Sequence, residues 1–332
     1  MSNVDRDHLE DLLRHASPRP VPAPADEAAV RAAVKKEWQA TTGTRRRRRR
    51  VLQFALAATV VLAAFVAFNS FRTSTVVPVQ VGTIAKSFGQ VYLLGEGSEP
   101  RATNDLASVV AGQTIVTGPE TGLAIAWGNG GSLRVDEDTR LSFAGPDRIR
   151  LESGRVYFDS VSSPMRASVA AAKPAGLVLV TDHGDVQHVG TQYMARVDRR
   201  SLVVSVREGH VNVQGRFHSE LAKPGQQLTL AGSARPSLLN IARSGGDWAW
   251  IDRTTPAVNV EGRTLDDFLN WACREMGLSL VYRGNAEARA REHKLVGTIN
   301  RRLSEAVPDS VATYDLDWTI EEGVLYISDP AR

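Results

Sequence analysis

Residues 186–215 read "VQHVGTQYMARVDRRSLVVSVREGHVNVQG", and many of their apolar side chains alternate with polar ones. Alternation is typical of strands that bury one face, whereas a helix repeats its apolar positions every third or fourth residue. A polar segment beginning at Asp198 interrupts the alternation, as a turn between strands does. The stretch therefore predicts successive short β-strands.

The same pattern extends from Val79 to about Leu230. Short alternating or apolar runs, separated by Gly, Asn and Asp, include "GQVYLL", "TGLAIAW", "RIRLESGRVYFDS" and "GQQLTL". No helical period appears in this region. We therefore predict a mainly β domain over residues 79–232, built as a sandwich, a jelly roll or a short β-solenoid.

Three glycines of this region are interpreted as architectural. Gly190 precedes Thr191 and suits a turn with positive φ, after which Tyr193 points into the core. Gly154 and Gly209 have charged neighbours and are interpreted as hairpin turns.

Residues 256–330 predict a small α+β domain. The segment "VNVEGRTLDDFLNWACREMGLSLVYRG" indicates strand, helix and strand, with Thr264 as N-cap, Asp267 three residues later, and Gly277 ending the helix. One face of that helix is predicted to be apolar: Leu265, Phe268, Leu269, Ala272 and Met276. A strand, a short helix interrupted by Pro308 and two further strands follow.

Near the N-terminus an uncharged stretch, "VLQFALAATVVLAAFVAF", has only Gln53 and Thr59 as polar residues. A helix over residues 51–71 would be about 31 Å long, close to the thickness of a bilayer's hydrocarbon core. We predict a transmembrane helix there. The alternatives are a buried helix, a cleaved signal and a twin-arginine export signal.

Six consecutive arginines immediately precede this stretch: Arg45, Arg46, Arg47, Arg48, Arg49 and Arg50. Positive charge is retained on the cytoplasmic side of a membrane, so residues 1–50 are predicted to be cytoplasmic and residues 72–332 to be exported. A stripe of small residues every fourth position is the hypothesis for helix packing, and hence for a possible homodimer: Ala55, Thr59, Ala63 and Ala67.

The cytoplasmic head contains a Pro-rich linker, "SPRPVPAPA", followed by an amphipathic pattern, "ADEAAVRAAVKKEWQA". Asp26 and Glu27 fall in the first turn of the predicted helix. Val30, Val34 and Trp38 lie on its apolar face and are the candidate partner-binding residues. The partner is a protein, a second copy or the bilayer surface.

Charge and chemistry narrow the function classes. Residues 1–50 hold 12 Lys/Arg and 7 Asp/Glu, whereas the remainder holds 28 and 30, so the basic balance belongs to the arginine run and no nucleic-acid partner is expected. Cys273 is the only cysteine, which excludes an intramolecular disulfide and a multi-cysteine metal site.

The densest polar cluster is "TDHGDVQH", with Asp182, His183, Asp185 and His188. On a strand these side chains point to opposite faces, so a solvated turn entering a strand is favoured over a metal or acid/base site. "WGNGGS" lacks the helix and lysine of a phosphate-binding loop, and no nucleophile elbow or HExxH motif occurs. We expect no enzymatic activity, metal or cofactor.

The ordered motifs of the β region resemble the periplasmic FecR domain of transmembrane sigma-factor regulators. The resemblance rests on "VVAGQTIVTGPETGLAIAWGNGGSLRVDEDTRL", "IRLESGRVYFD", "VQHVGTQYMARVD", "VVSVREGHVNV" and "LAKPGQQLTL". Residues 256–330 are similar to the short N-terminal domain of secretins and TonB-dependent receptors.

The resemblance implies a single-pass inner-membrane protein with a cytoplasmic N-terminus and a periplasmic C-terminal bulk. It implies an anti-sigma role in signal transduction: an extracytoplasmic-function sigma factor binds the head, and the periplasmic domain of an outer-membrane, TonB-dependent transducer contacts the exported part. The alternative is a membrane-anchored periplasmic binding or scaffold protein of the cell envelope.

Overall fold

The computed structural model describes residues 23–39, 79–95, 101–103, 106–128, 131–160, 176–232 and 234–330, with single positions 11, 14 and 21. The chain divides into two compact units, Met1–Val76 and Val77–Arg332. In the first, helix α1 covers residues 24–39. Pro24 occupies its first position, where the missing N–H costs no helical hydrogen bond.

The second unit is dominated by strands. Fifteen strands of its described residues form one hydrogen-bonded sheet: β1 (Gln80–Phe88), β2 (Val91–Leu94), β3 (Arg101–Thr103), β4 (Ser108–Val110), β5 (Thr114–Thr117), β6 (Gly122–Trp127), β7 (Ser132–Val135), β8 (Arg140–Gly145), β9 (Arg148–Asp159), β10 (Val178–Val180), β11 (Gly184–Val197), β12 (Ser201–Gly215), β13 (Ser219–Ala222), β14 (Gln226–Ala231) and β15 (Ser237–Asn240). The prediction of a mainly β fold is therefore confirmed.

Three long strands, β9, β11 and β12, change partners halfway along. β9 pairs with β8 as far as Ser153 and with β7 and β11 from Gly154 onward. The first half of β12 pairs with β14 and its second half with β13. Strands that change sheets fold a continuous ladder into two layers, and here both layers contribute to a single apolar core. The architecture is a β-sandwich.

Glycines within these long strands make the change of layer possible. Gly154, Gly190 and Gly209 have φ of 94°, 59° and 73°. Each lies inside a strand, at a place where the pairing register of that strand or of its neighbour shifts. The positive φ predicted for Gly190 is confirmed. The interpretation as turns is wrong for all three positions, because they belong to β-bulges within continuous strands.

Each bulge shifts the side-chain alternation by one residue, so that apolar side chains face the core on both sides of it. In β9 the core residues change from odd positions to even ones: Ile149 and Leu151, then Val156 and Phe158. In β12 they change from even to odd at Gly209: Leu202, Val204 and Val206, then Val211 and Val213.

After β15, a 3₁₀ turn (Gly246–Trp248) and helix α2 (Ala249–Arg253) lead into the C-terminal module, residues 256–330. Its elements are β16 (Val258–Asn259), α3 (Leu265–Met276), β17 (Ser279–Tyr282), α4 (Ala286–Glu292), β18 (Thr298–Ile299), α5 (Leu303–Thr313), β19 (Asp317–Glu321) and β20 (Val324–Ser328). Strands β17, β20 and β19 form a three-stranded sheet, and β16 pairs with β18.

The limits predicted for α3 are confirmed. The Thr264 hydroxyl accepts from the Asp267 N–H at 3.0 Å, and the Asp267 carboxylate accepts from the Thr264 N–H at 3.1 Å, forming a capping box. Gly277 ends the helix in the left-handed conformation with φ of 70°.

Two details of the C-terminal module differ from the prediction. Helix α4 lies in a segment to which the sequence pattern assigned no element. Pro308 does not interrupt α5, which runs from Leu303 to Thr313. A proline within a helix removes one hydrogen bond, and here the buried face formed by Leu303, Val307 and Val311 offsets that loss.

Candidate functional site

Helix α1 presents the predicted apolar face to solvent. The side chains of Val30, Val34 and Trp38 are 64%, 63% and 66% exposed, and they line one surface groove. Arg31 lies beside this groove and is paired with Glu27 at 2.7 Å. An exposed apolar row on a short helix is suited to a partner surface.

The other predicted residues of the N-terminal region lie outside the described residues. These are the arginines at 45–50 and the small-residue stripe Ala55, Thr59, Ala63 and Ala67. Among the residues that the structure does describe, no helix has both the length and the apolar character needed to cross a bilayer. The transmembrane helix over residues 51–71 stays a prediction.

The polar cluster "TDHGDVQH" does not converge on one site. Asp182 forms an ion pair with Arg150, and a His183 ring nitrogen lies 3.0 Å from the Asp198 carbonyl oxygen. His188 points the other way and is only 6% exposed. Within the described ranges no group of three or more His, Cys, Asp or Glu side chains is placed to hold a metal ion.

The segment bends at residues 182–183 and enters β11, as the sequence predicts, but the solvated character predicted for it is wrong for His188. Its ring lies in the core, with centroids 4.7 Å from Phe158 and 5.5 Å from Tyr193. Neither ring nitrogen has a hydrogen-bond partner in the described structure. Burial lowers the pKa of His188 to about 4, because a charged imidazolium would be poorly solvated there.

A second candidate site lies on the outer face of the sandwich, where strands β7, β9, β11 and β12 are adjacent. Arg134 is flanked in β7 by core residues Leu133 and Val135, so its side chain points to the opposite face. The segment containing α2 covers this face. An apolar cluster unites the two elements: Tyr157, Met194, Trp248, Trp250 and Ile251.

Beyond this cluster the contact becomes ionic. The Arg134 guanidinium donates to the Glu275 carboxylate at 2.5 Å, and both side chains are at most 6% exposed. Arg134 also donates to the Ile251 carbonyl at 3.1 Å and to the Thr255 hydroxyl at 2.8 Å. A sandwich strand, the α2 segment and helix α3 thus meet at one buried arginine.

A second buried arginine lies beside it. Arg207 stacks on the Trp248 ring, 4.3 Å from its centroid, and donates to the Arg243 carbonyl at 2.7 Å and the Glu275 carbonyl at 2.8 Å. Burial lowers its pKa. Tyr157 lies between the two arginines, each 5.7 Å from its ring, and burial raises the pKa of its hydroxyl.

A third arginine joins the C-terminal module to the sandwich. Arg274 holds the Asp159 carboxylate in a bidentate contact at 2.6 and 2.9 Å and reaches Glu208 at 3.1 Å. Gln192 donates to the same carboxylate at 3.1 Å. Bidentate arginine–carboxylate geometry fixes orientation as well as supplying attraction. We name the contacts of Arg134, Arg207 and Arg274 the module junction.

The local sequence pattern does not predict the module junction. Its clearest signal is an arginine inside an otherwise apolar strand: "SLRVD" contains Arg134 and "VVSVREG" contains Arg207. Arginine on the outer face of a strand is usually solvent-exposed, so this pattern alone does not show that the outer face is covered. The identity of the covering element does not follow from local pattern.

Comparison with known proteins gives one family and a distant structural likeness. Residues 113–212 match the family model described as "FecR protein". Two crystal structures of a "putative anti-sigma factor" from Parabacteroides distasonis share 14% identity with this chain, covering 66% of it and 99% of their own chain, with a TM-score of 0.32. No curated protein matches.

The matched residues begin just before β5 and extend into β12, and so include all or part of the three long strands that form both layers of the sandwich. They also include Arg134, Asp159 and Arg207 of the module junction. Residues 113–212 are therefore similar to the FecR family, as their motifs predict.

Proposed function

We propose that this protein regulates a sigma factor across the bacterial inner membrane as a single-pass signal transducer. In this proposal helix α1 lies in the cytoplasm and binds the sigma factor. The sandwich and the C-terminal module lie in the periplasm and receive a protein contact from an outer-membrane, TonB-dependent transducer.

The observation that carries the proposal is the FecR match at residues 113–212. FecR domains resembling this one belong to transmembrane sigma-factor regulators. The uncharged stretch at 51–71, preceded by six arginines, supports a membrane anchor with the head inside. A partner contact outside acts on the head only if it favours one state of the protein over another.

The exposed face of α1 supports the sigma-factor contact. Val30, Val34 and Trp38 form an apolar strip next to charged side chains, as expected of a helix that docks in a partner's groove.

The test is co-purification of the full-length chain from detergent-solubilised membranes, with bound proteins identified by mass spectrometry. The wild type is expected to retain a sigma factor. Val34→Glu places a charge in the apolar strip and is expected to lower retention at least about tenfold. Ala32→Glu introduces the same charge on the opposite face of the helix and is the matched control.

Retention of a sigma factor by Val34→Glu at the wild-type level would remove α1 as the binding surface. If the wild type retains envelope proteins and no sigma factor, the membrane-anchored scaffold function replaces the regulatory one.

A further inference from the structure

We propose that the module junction is a reversible latch, from which the C-terminal module separates as a folded body while the sandwich stays intact. The latch lies within the unit Val77–Arg332 and does not depend on a sigma-factor partner.

The two bodies are complete without each other. The sandwich encloses one apolar core, and the C-terminal module has a second core centred on Phe268, Leu269 and Leu325. Among the described strands no pairing joins them, since every pairing of β16 to β20 is within the module. Separation therefore leaves both cores and all three described sheets in place.

The contacts between them are mostly ionic and polar. Arg134 and Arg207 meet Glu275 of α3, and Asp159 meets Arg274 of α3. Separating two apolar surfaces exposes them to water and loses the hydrophobic contribution that held them together. Separating two buried charges instead returns both to water, and the recovered hydration offsets part of the lost attraction. A charged junction of this kind fixes one arrangement when closed and opens at lower cost than an apolar one.

The closed state also leaves a polar atom unsatisfied. Arg134 Nε is buried without a hydrogen-bond partner in the described structure. Opening removes Glu275 from the Arg134 guanidinium and gives water access to it, which lowers the penalty for burying this atom. The apolar cluster of Trp248, Trp250 and Ile251 stays on the sandwich, so the pivot lies after it, at Thr254–Pro256.

One contact across the junction supplies a specific reporter. The Asp252 carboxylate of α2 accepts from the Leu303 N–H at 2.6 Å and from the Ser304 N–H at 3.2 Å, at the start of α5. First-turn amides have no partner inside their own helix. Protection of these two amides therefore depends on the C-terminal module remaining closed against α2.

The experiment is hydrogen exchange of the full-length chain, followed by mass spectrometry, with Glu275→Gln as the test variant. This substitution keeps the shape of the side chain and removes the charge that Arg134 contacts. Exchange at Leu303 and Ser304, on another helix, is expected to accelerate at least about tenfold. Glu152→Gln, which breaks the exposed pair with Arg140, is the matched control and is expected to change nothing there.

Cys273 reports whether the C-terminal module is still folded. Its thiol is 3% exposed inside the module's core, so a thiol reagent reaches it only when that core opens. A latch predicts faster exchange at Leu303 and Ser304 with unchanged labelling of Cys273. Faster labelling of Cys273 in parallel, or no acceleration at the two amides, would overturn the proposal.

Discussion

His188 is a titratable residue held in apolar surroundings, between Phe158 and Tyr193. Its pKa falls from an ordinary 6.5 to about 4 in the folded protein. Between these values the unfolded chain takes up a proton that the folded chain does not bind. The contribution that neutral His188 makes to the free energy of unfolding is therefore fully present above about pH 6.5 and is lost as the pH falls towards 4.

We predict that His188 alone makes the free energy of unfolding fall by about 1.4 kcal/mol per pH unit between pH 6.5 and 4. The measurement is urea unfolding of the full-length chain at several pH values. His188→Phe removes the titrating group and the unsatisfied nitrogens, so it is expected to flatten the slope. An identical slope in both proteins would contradict this assignment.

Two glycines with positive φ, one in a bulge and one in a turn, are constrained differently. Gly209 has φ of 73°, and a Cβ there would lie 2.3 Å from the Gly190 carbonyl oxygen. Gly112 has φ of 88° and nothing within 4 Å of such a Cβ. The first position therefore combines a conformational penalty with a steric one, and the second has only the conformational penalty.

We predict a graded loss of stability on substitution by alanine. Gly112→Ala is expected to cost about 1–2 kcal/mol, and Gly209→Ala to cost more because the backbone of β11 must also move. Gly176→Ala, at an open position without positive φ, is the control and is expected to be close to neutral. Thermal or urea unfolding checks the order, which equal effects at Gly209 and Gly176 would refute.

At the scale of elements, local signals and packing act together. Helix α3 begins and ends where the sequence predicts, because the capping box and the left-handed glycine are encoded within a few residues of each other. Helix α5 passes through Pro308, because packing of its apolar face outweighs the local preference. Local chemistry is decisive at helix ends and less so inside a buried helix.

For the capping box we predict that Thr264→Ala lowers the free energy of unfolding by about 1 kcal/mol. The lost hydroxyl leaves the Asp267 N–H without its acceptor. Thr264→Ser keeps the hydroxyl and is expected to retain most of the stability. Urea unfolding measures both variants, and an equal loss in the two would assign the effect to the methyl group instead.

At the scale of the whole molecule, the single cysteine makes a topology test possible. Burial raises the pKa of the Cys273 thiol to about 12, so background reaction with maleimide is slow. Added cysteines at exposed Lys36 and Val296 report on the head and on the C-terminal module.

We predict that a membrane-impermeant maleimide labels Val296→Cys in intact spheroplasts, whereas Lys36→Cys is labelled only after lysis. The prediction rests on the arginine run, because positive charge next to an apolar span is retained on the cytoplasmic side of a membrane. Labelling of both variants before lysis, or of neither, would contradict the single-pass orientation. Unmodified protein, with Cys273 alone, supplies the background.

Sequence alone identified the strands, the FecR-like motifs and the ends of α3. It misassigned Gly154, Gly190 and Gly209 as turns, because a bulge and a turn both place glycine next to polar residues. In β9 the buried positions change from odd to even residue numbers between Leu151 and Val156. This change distinguishes a bulge from a hairpin turn, since a hairpin starts a new strand and a bulge only shifts the alternation by one residue. His188 was missed because a polar residue at a core position follows the same alternation as an apolar one.

Alternation and capping chemistry are properties of neighbouring residues, so the amino-acid sequence determined them directly: a β region, its family motifs and a capped helix. Only the tertiary structure decided that Arg134 meets Glu275, 141 positions along the chain. A buried ion pair forms where two distant surfaces exclude water together, and that exclusion depends on how the sandwich and the C-terminal module pack.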